Sequence, residues 1–289
     1  ASKQASMPWG VIVLFGQQAN NSTLSHCELS GGSGFKGDLF EYTAMLSIHN
    51  VNNVSISHCV FSNNKITDDM VHAVYSELSI DNSSFINAFA DALDIDISNV
   101  EIIDSLFLNS GNDALDLMTA EVTVVGSTFR HSGDKGMSVG ENSRLLAIDN
   151  YISDNSIGIQ AKDNSDALLF NQTIVNNQKA IDVYKKNWRY GSGGHISVAK
   201  SVIRDNDHAI TTGKQSKVSL FDSYLDTPYS GKKIAMSLVD NKNVIATSNI
   251  LFLDDLMDKR TKTMLDNAPA HVYGRIQTNL RGAYTAVRK

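Results

Sequence analysis

A short apolar phrase that closes on an aromatic residue returns along the chain: Ile-Ser-His-Cys-Val-Phe61, Ile-Asp-Asn-Ser-Ser-Phe85, Ile-Asp-Ser-Leu-Phe107, Val-Gly-Ser-Thr-Phe129 and Ala-Ile-Asp-Asn-Tyr151. The closing residues lie 24, 22, 22 and 22 positions apart. Weaker anchors at Ile174, Ile203 and Tyr224 continue the series at spacings of 23, 29 and 21, and Leu29 extends it backwards by 32. A polar residue follows most anchors by two: Asn63, Asn87, Asn109, His131, Ser153, Asn176 and Asp205. A fixed period of this length marks a repeat architecture, in which one supersecondary unit stacks on the next.

Inside each repeat, alternating runs such as Leu93-Asp94-Ile95-Asp96-Ile97 and Val122-Thr123-Val124 read as strands with one face in and one out. They are too short for helices, and turn residues separate them. The Leu-x-x-Leu-x-Leu scaffold of leucine-rich repeats is missing. The expected fold is all-β: a single right-handed parallel β-helix of about nine to ten coils over residues 1–250. Equivalent residues should stack about 4.8 Å apart in columns. The apolar spacing of Leu253, Leu256, Met257, Met264 and Leu265 predicts a C-terminal helical or irregular capping segment, 251–289, in the same domain. Two stretches break the period, Ser30–Thr43 and Lys185–Gly194. Both carry aromatic residues and should protrude as loops beside a binding surface. Strand-like sequence starts as early as Trp9-Gly-Val-Ile-Val-Leu-Phe15, eight residues into the chain, which suggests a piece of a longer protein.

Aligned on the anchors, the repeats place chemistry in columns. One outward column reads Ser47, His72, Asp94, Asp116, Ser138, Gln160, Asp182, Thr211. A second, two residues on, reads His49, Val74, Asp96, Met118, Gly140, Lys162, Tyr184, Gly213. The turn before the strand gives Asp69, Asp91, Asp113, Lys135, Ile157, Lys179. Carboxylates one coil apart repel by about 1–4 kcal/mol, depending on the dielectric. Such a cluster suits a cation site, a catalytic pair or a sugar-binding groove. The competing structural reading is that these aspartates tie down backbone amides of neighbouring coils. Cys27 and Cys59 share the parity of the inward anchors and read as small buried hydrophobes, with His26 and His58 facing solvent.

Charge narrows the partners. Residues 1–184 carry 8 Lys and Arg against 22 Asp and Glu, a net of −14, while 185–289 carry +8. An acidic first two-thirds argues against nucleic acid. The longest apolar run, Val11–Phe15, is far too short for a membrane helix. With 42% hydrophobic and 19% charged residues, intrinsic disorder is excluded.

Repeats 85–163 resemble the active-site coils of the polygalacturonase family of pectin hydrolases, within the pectate-lyase-like β-helix superfamily. The family's Asn-Thr-Asp and Gly-Ile-Asp are matched by Ala90-Asp91-Ala92-Leu93-Asp94, and its Asp-Asp by Asn112-Asp113. Its Gly-His-Gly is matched by Asp134-Lys135-Gly136, and its Arg-x-Lys by Gln160-Ala161-Lys162. Asn112 stands where the family has a proton-donating Asp, Lys135 where it has His, and Gln160 where it has Arg. A lysine among carboxylates resembles instead the polysaccharide lyases of the same superfamily. That resemblance implies Lys135 as base and Ca²⁺ held by Asp91, Asp94, Asp113 and Asp116, with Asp91, Asp113 and Lys135 as the catalytic set. Sugar contacts are expected from His72, Asp94, Asp96, Asp116, Gln160, Lys162, Asp182, Tyr184 and Lys185. The whole chain also resembles bacterial β-helix proteins of exopolysaccharide systems, which implies a secreted, periplasmic or cell-surface location. The expected function is therefore binding and cleavage of an acidic polysaccharide, by lyase or hydrolase chemistry; the alternative is a non-catalytic glycan-binding or structural module.

Overall fold

The computed structural model describes residues 7–221 and 223–226, the strands Ser230–Gly231 and Ala235–Leu238, and positions 263 and 270. Apart from position 263, the expected C-terminal segment Leu253–Leu265 lies outside the described residues.

Three parallel sheets of ten, ten and nine strands form the walls of a solenoid, each strand pairing with its counterpart one coil before and one coil after. The first sheet runs through Ile12–Phe15, Ala44–His49, Asp69–Val74, Asp91–Asp96, Leu115–Met118, Lys135–Gly140, Ile157–Lys162, Lys179–Tyr184, His208–Thr212 and Ser230–Gly231. The second begins at Thr23–Ser25 and ends at Ala235–Leu238; the third begins at Glu28–Ser30 and ends at Tyr224–Leu225. The all-β parallel solenoid agrees with the repeat.

The interior follows from the alternation. Leu93 and Ile95 point in, Asp94 and Asp96 out, and their neighbours Leu115, Leu117 and Asp116 repeat the pattern one coil on. Phe61, Phe85, Phe107 and Phe129 stack at centroid separations of 5.1, 4.6 and 4.6 Å, all fully buried. Each such pair adds about 0.5–1.5 kcal/mol beyond its area burial. Below the rings, Ser105 Oγ accepts from the Ser83 amide and Ser127 Oγ from the Ser105 amide, so buried backbone donors are satisfied between coils. Cys59 is buried and Cys27 half-buried, both unbridged. The exposed His26 and His58 rings stack 4.8 Å apart.

The corners need left-handed backbone, where asparagine is tolerated best after glycine. Asn63, Asn87, Asn109, His131, Asn176 and Asp205 all have φ between 53° and 59°. Asn87 donates to Asn63 Oδ1 and Asn109 to Asn87 Oδ1, at 3.1 and 3.0 Å.

Two anchors need correction. Phe129 pairs with Ile152, not Tyr151, which faces outward and is 39% exposed. Ile203 likewise pairs with Leu225, not Tyr224. The first slip comes from one extra residue at the corner Glu141–Asn142, both left-handed (φ 46° and 65°), where the preceding coil has only Thr119 in that conformation. The extra residue moves the third-sheet strand forward by one. Asp154 (φ 61°) then takes the corner position expected for Ser153.

Candidate functional site

Every residue of the expected first outward column lies in register: Ser47, His72, Asp94, Asp116, Ser138, Gln160, Asp182 and Thr211 are successive cross-strand partners on the first sheet. In the second column, Val74, Asp96, Met118 and Gly140 are partners in turn, as are Lys162 and Tyr184. Asp69 pairs with Asp91 at the edge column, Lys135 with Ile157, and Ile157 in turn with Lys179.

Along this face the side chains divide into two groups. The coils at 69–116 are acidic. His72 sits at the centre, its Nε2 3.3 Å from Asp96 Oδ2 and 3.6 Å from Asp94 Oδ2. Its Nδ1 is 3.1 Å from Thr43 Oγ1, which donates to Asp69 Oδ2 at 2.6 Å. Asp91 Oδ1 accepts from Asn112 Nδ2 at 2.8 Å and from the Asp113 amide at 2.7 Å, so the amide-tying role weighed for these aspartates is present. Asp69, Asp91 and Asp113 are only 3%, 7% and 2% exposed.

Burial disfavours a charged carboxylate, and crowding adds to it. Burial lifts Asp94 to about 10, with Asp69 and Asp96 reinforcing it. Asp69 rises to about 7 through burial, against its Thr43 hydrogen bond and His72. Asp91 rises to about 6 by burial, restrained by the Asp113 amide. His49, whose ring centroid lies 5.3 Å from that of His72, is lowered to about 4 by burial and by His72.

The coils at 135–184 carry lysines whose charge is met locally. Lys135 Nζ lies 3.2 Å from both Asp113 oxygens and 2.5 Å from Asp134 Oδ2. Burial alone would lower its proton affinity, but Asp113 and Asp134 outweigh that and raise it. Asp113 itself rises to about 7 through burial, opposed by Lys135. Lys162 Nζ is 3.9 Å from Glu141, and Lys179 Nζ is 3.6 Å from Asp182, which also accepts from Gln160 Nε2 at 2.8 Å. Lys185 turns away into the 185–194 loop, its Nζ 3.5 Å from the Gly191 carbonyl.

Two sets of donors come close enough to hold one ion, their ligand atoms within 4.8 Å of one another: Asp68, Asp69 and Asp91, and Asp69, His72 and Asp94. The first is all oxygen, the donor chemistry of Ca²⁺; the imidazole in the second suits a transition metal better. Of the expected calcium set, Asp91 falls in the first group and Asp94 in the second, whereas Asp113 is engaged by Lys135 and Asp116 Oδ1 accepts from the Leu117 amide. Asp68, Asp134 and Thr43 were missed as site residues. Asp68 and Asp134 adjoin the edge column in sequence. Thr43 lies inside an insertion, where the period carries no information.

The family model of the right-handed beta-helix region matches residues 69–222. No curated protein sequence matches the chain. Among solved structures, an alginate lyase from Paenibacillus sp. str. FPU-7 is similar over 82% of this chain and 94% of its own, at 10% identity and a TM-score of 0.57. Pectate lyase Pel9A is similar over 88% and 77%, at 12% identity and 0.48. The periplasmic alginate epimerase AlgG is similar over 80% and 76%, at 11% identity and 0.43.

Proposed function

Because the chain belongs to the right-handed beta-helix region family, whose stacked strands here carry Asp94, Asp96, Asp116, Lys135 and Asp182 along one sheet, we propose that this sheet face binds and cleaves an acidic polysaccharide by β-elimination. One observation carries the reading: buried carboxylates with raised proton affinity abut a lysine, Lys135, on consecutive coils of a single edge column. A uronate polymer accompanied by a divalent cation complements both halves. Asp68, Asp69 and Asp91 would hold Ca²⁺, which when bound neutralises the uronate carboxylate and so acidifies the adjacent C–H.

Lys135 lies two strand spacings, about 10 Å, from Asp91 with Asp113 between them, so a sugar ring lying across the coils spans all three. In its free-amine form it removes the proton α to the carboxylate. The glycosidic C–O bond breaks as the carbon–carbon double bond forms. Asp94, which keeps its proton at neutral pH, supplies a proton to the leaving oxygen. Gln160, Lys162, Asp182 and Tyr184 continue the face toward the next sugars. Among the described residues no helix is long and apolar enough to cross a membrane, and a polymer substrate of this class fits an extracellular or periplasmic setting.

A hydrolase is the second reading, favoured by the spread between Asp94 at about 10 and Asp91 at about 6, an acid and a base side by side. Incubation with uronic-acid and neutral polysaccharides, with and without Ca²⁺, separates the two. The ultraviolet absorbance of an unsaturated product rising together with reducing ends supports the lyase. Reducing ends alone indicate the hydrolase, and binding without either leaves a glycan-binding module.

A further inference from the structure

Both insertions stand beside the same face, at opposite ends of it. The first, between Glu28–Ser30 and Ala44–His49, forms a hairpin in which Phe35 pairs with Tyr42 and Lys36 with Glu41. Its base is tied to the acidic coils through Thr43, which contacts Asp69 and His72. Its rings form a continuous path: Phe40 to Tyr42 at 5.7 Å, Tyr42 to His49 at 5.3 Å, and His49 to His72 at 5.3 Å. Phe40 at the outer end is 57% exposed, with no described partner beyond Phe35 and Tyr42 among the ring contacts.

The second insertion follows Lys179–Tyr184 directly. The amides of Lys186 and Asn187 both donate to Asp163 Oδ1 at 2.8 Å, fixing the loop beside Lys162. Trp188 at its tip is 84% exposed, with the Arg189 guanidinium 5.9 Å from its ring centroid. An indole held out from an anchored loop beside a cation presents a flat apolar surface next to a positive charge. A uronate ring offers the complement, an apolar sugar face and a carboxylate.

Six strand steps separate Ala44–His49 from Lys179–Tyr184 on the first sheet. At the usual spacing that is about 29 Å, and a polysaccharide laid along the axis advances by about one ring per coil. Resting on the polysaccharide reading above, we propose that the two insertions are sugar-stacking end walls, Phe40 with Tyr42 at one end and Trp188 with Arg189 at the other, so that the face is built for a stretch of about six uronate rings.

Titration calorimetry with oligogalacturonates and oligomannuronates, from dimer to octamer and with Ca²⁺ present, tests this. Affinity should climb with length to about the hexamer and then level. Phe40→Ala and Trp188→Ala should each weaken hexamer binding about tenfold, leave the trimer within a factor of about two, and leave the melting temperature unchanged, since both rings are exposed. In a Trp9→Phe background the remaining emission comes from Trp188 and should shift on hexamer binding. If wild-type protein binds the hexamer and both variants bind it equally well, or if affinity already levels at the trimer, the end walls are rejected while the polysaccharide reading stands. If wild-type protein binds neither series, both fall together.

Discussion

The coils at 69–116 and those at 135–184 share a sheet register and an outward face, yet treat charge in opposite ways. In the second region each described lysine column finds an acid within the fold: Lys135 on Asp113 and Asp134, Lys162 near Glu141, Lys179 near Asp182. In the first, Asp69, Asp94 and Asp96 approach the His72 imidazole, Asp91 is the strand partner of Asp69, and the proton affinities of Asp69, Asp91 and Asp94 rise. A buried carboxylate without a full counter-charge opposes folding, and relieving like-charge crowding is the easiest stabilising change available to such a site. The repeat dictates where a side chain sits; it does not require four acids there. The compensated region reads as scaffold and grip. The uncompensated one brings Asp68, Asp69 and Asp91 within reach of one ion.

The strongest way to break this contrast acts at its boundary. Lys135→Arg keeps a cation against Asp113 and Asp134 but removes a base that can lose its proton. Turnover measured by product absorbance should fall by about 10²–10⁴-fold with the melting temperature little changed. Wild-type turnover should also climb with pH above neutrality, because Lys135 must shed a proton that its partners hold tightly. Near-normal turnover in the arginine variant would falsify Lys135 as the base.

Next in size is the response of the acidic region to pH and calcium. Unfolded, these carboxyls ionise near 3.8; folded, Asp91, Asp69 and Asp94 keep their protons to about 6, 7 and 10. The folded state therefore binds more protons over that window, and stability present below the unfolded value is lost as pH rises toward the folded ones. In chelator, thermal melting followed by circular dichroism should drop between about pH 5 and pH 8. Calcium should restore it by about 2.7 kcal/mol at a hundredfold excess over Kd, and Asp69→Asn should abolish that calcium response. A melting curve indifferent to both pH and calcium would leave the aspartates as ties for backbone amides alone.

The smallest effect is expected in the compensated region. Lys162→Met removes a charge already balanced near Glu141, so KM for a uronate polymer should rise a few-fold while kcat stays within about a factor of two. A large kcat loss there would move the chemistry out of the acidic coils.

Much of this is legible in the sequence. An alternation of period two inside a repeat of about 22 residues leaves few ways to bury every apolar side chain, so the solenoid, the phenylalanine stack and the outward columns from Ser47 to Thr211 follow from residue spacing alone. Spacing failed where the chain adds residues at a corner. One extra left-handed residue at Glu141–Asn142 exchanged Tyr151 for Ile152 in the interior, since hydrogen bonds between coils, not resemblance between aromatic rings, decide which residue faces inward. The electrostatic character of the face was likewise settled only in three dimensions. Thr43 reaches Asp69 and His72 from an insertion, and Asp134 closes on Lys135 from the adjacent corner position. A column alignment places side chains but carries neither their burial nor their rotamers, and proton affinity depends on both.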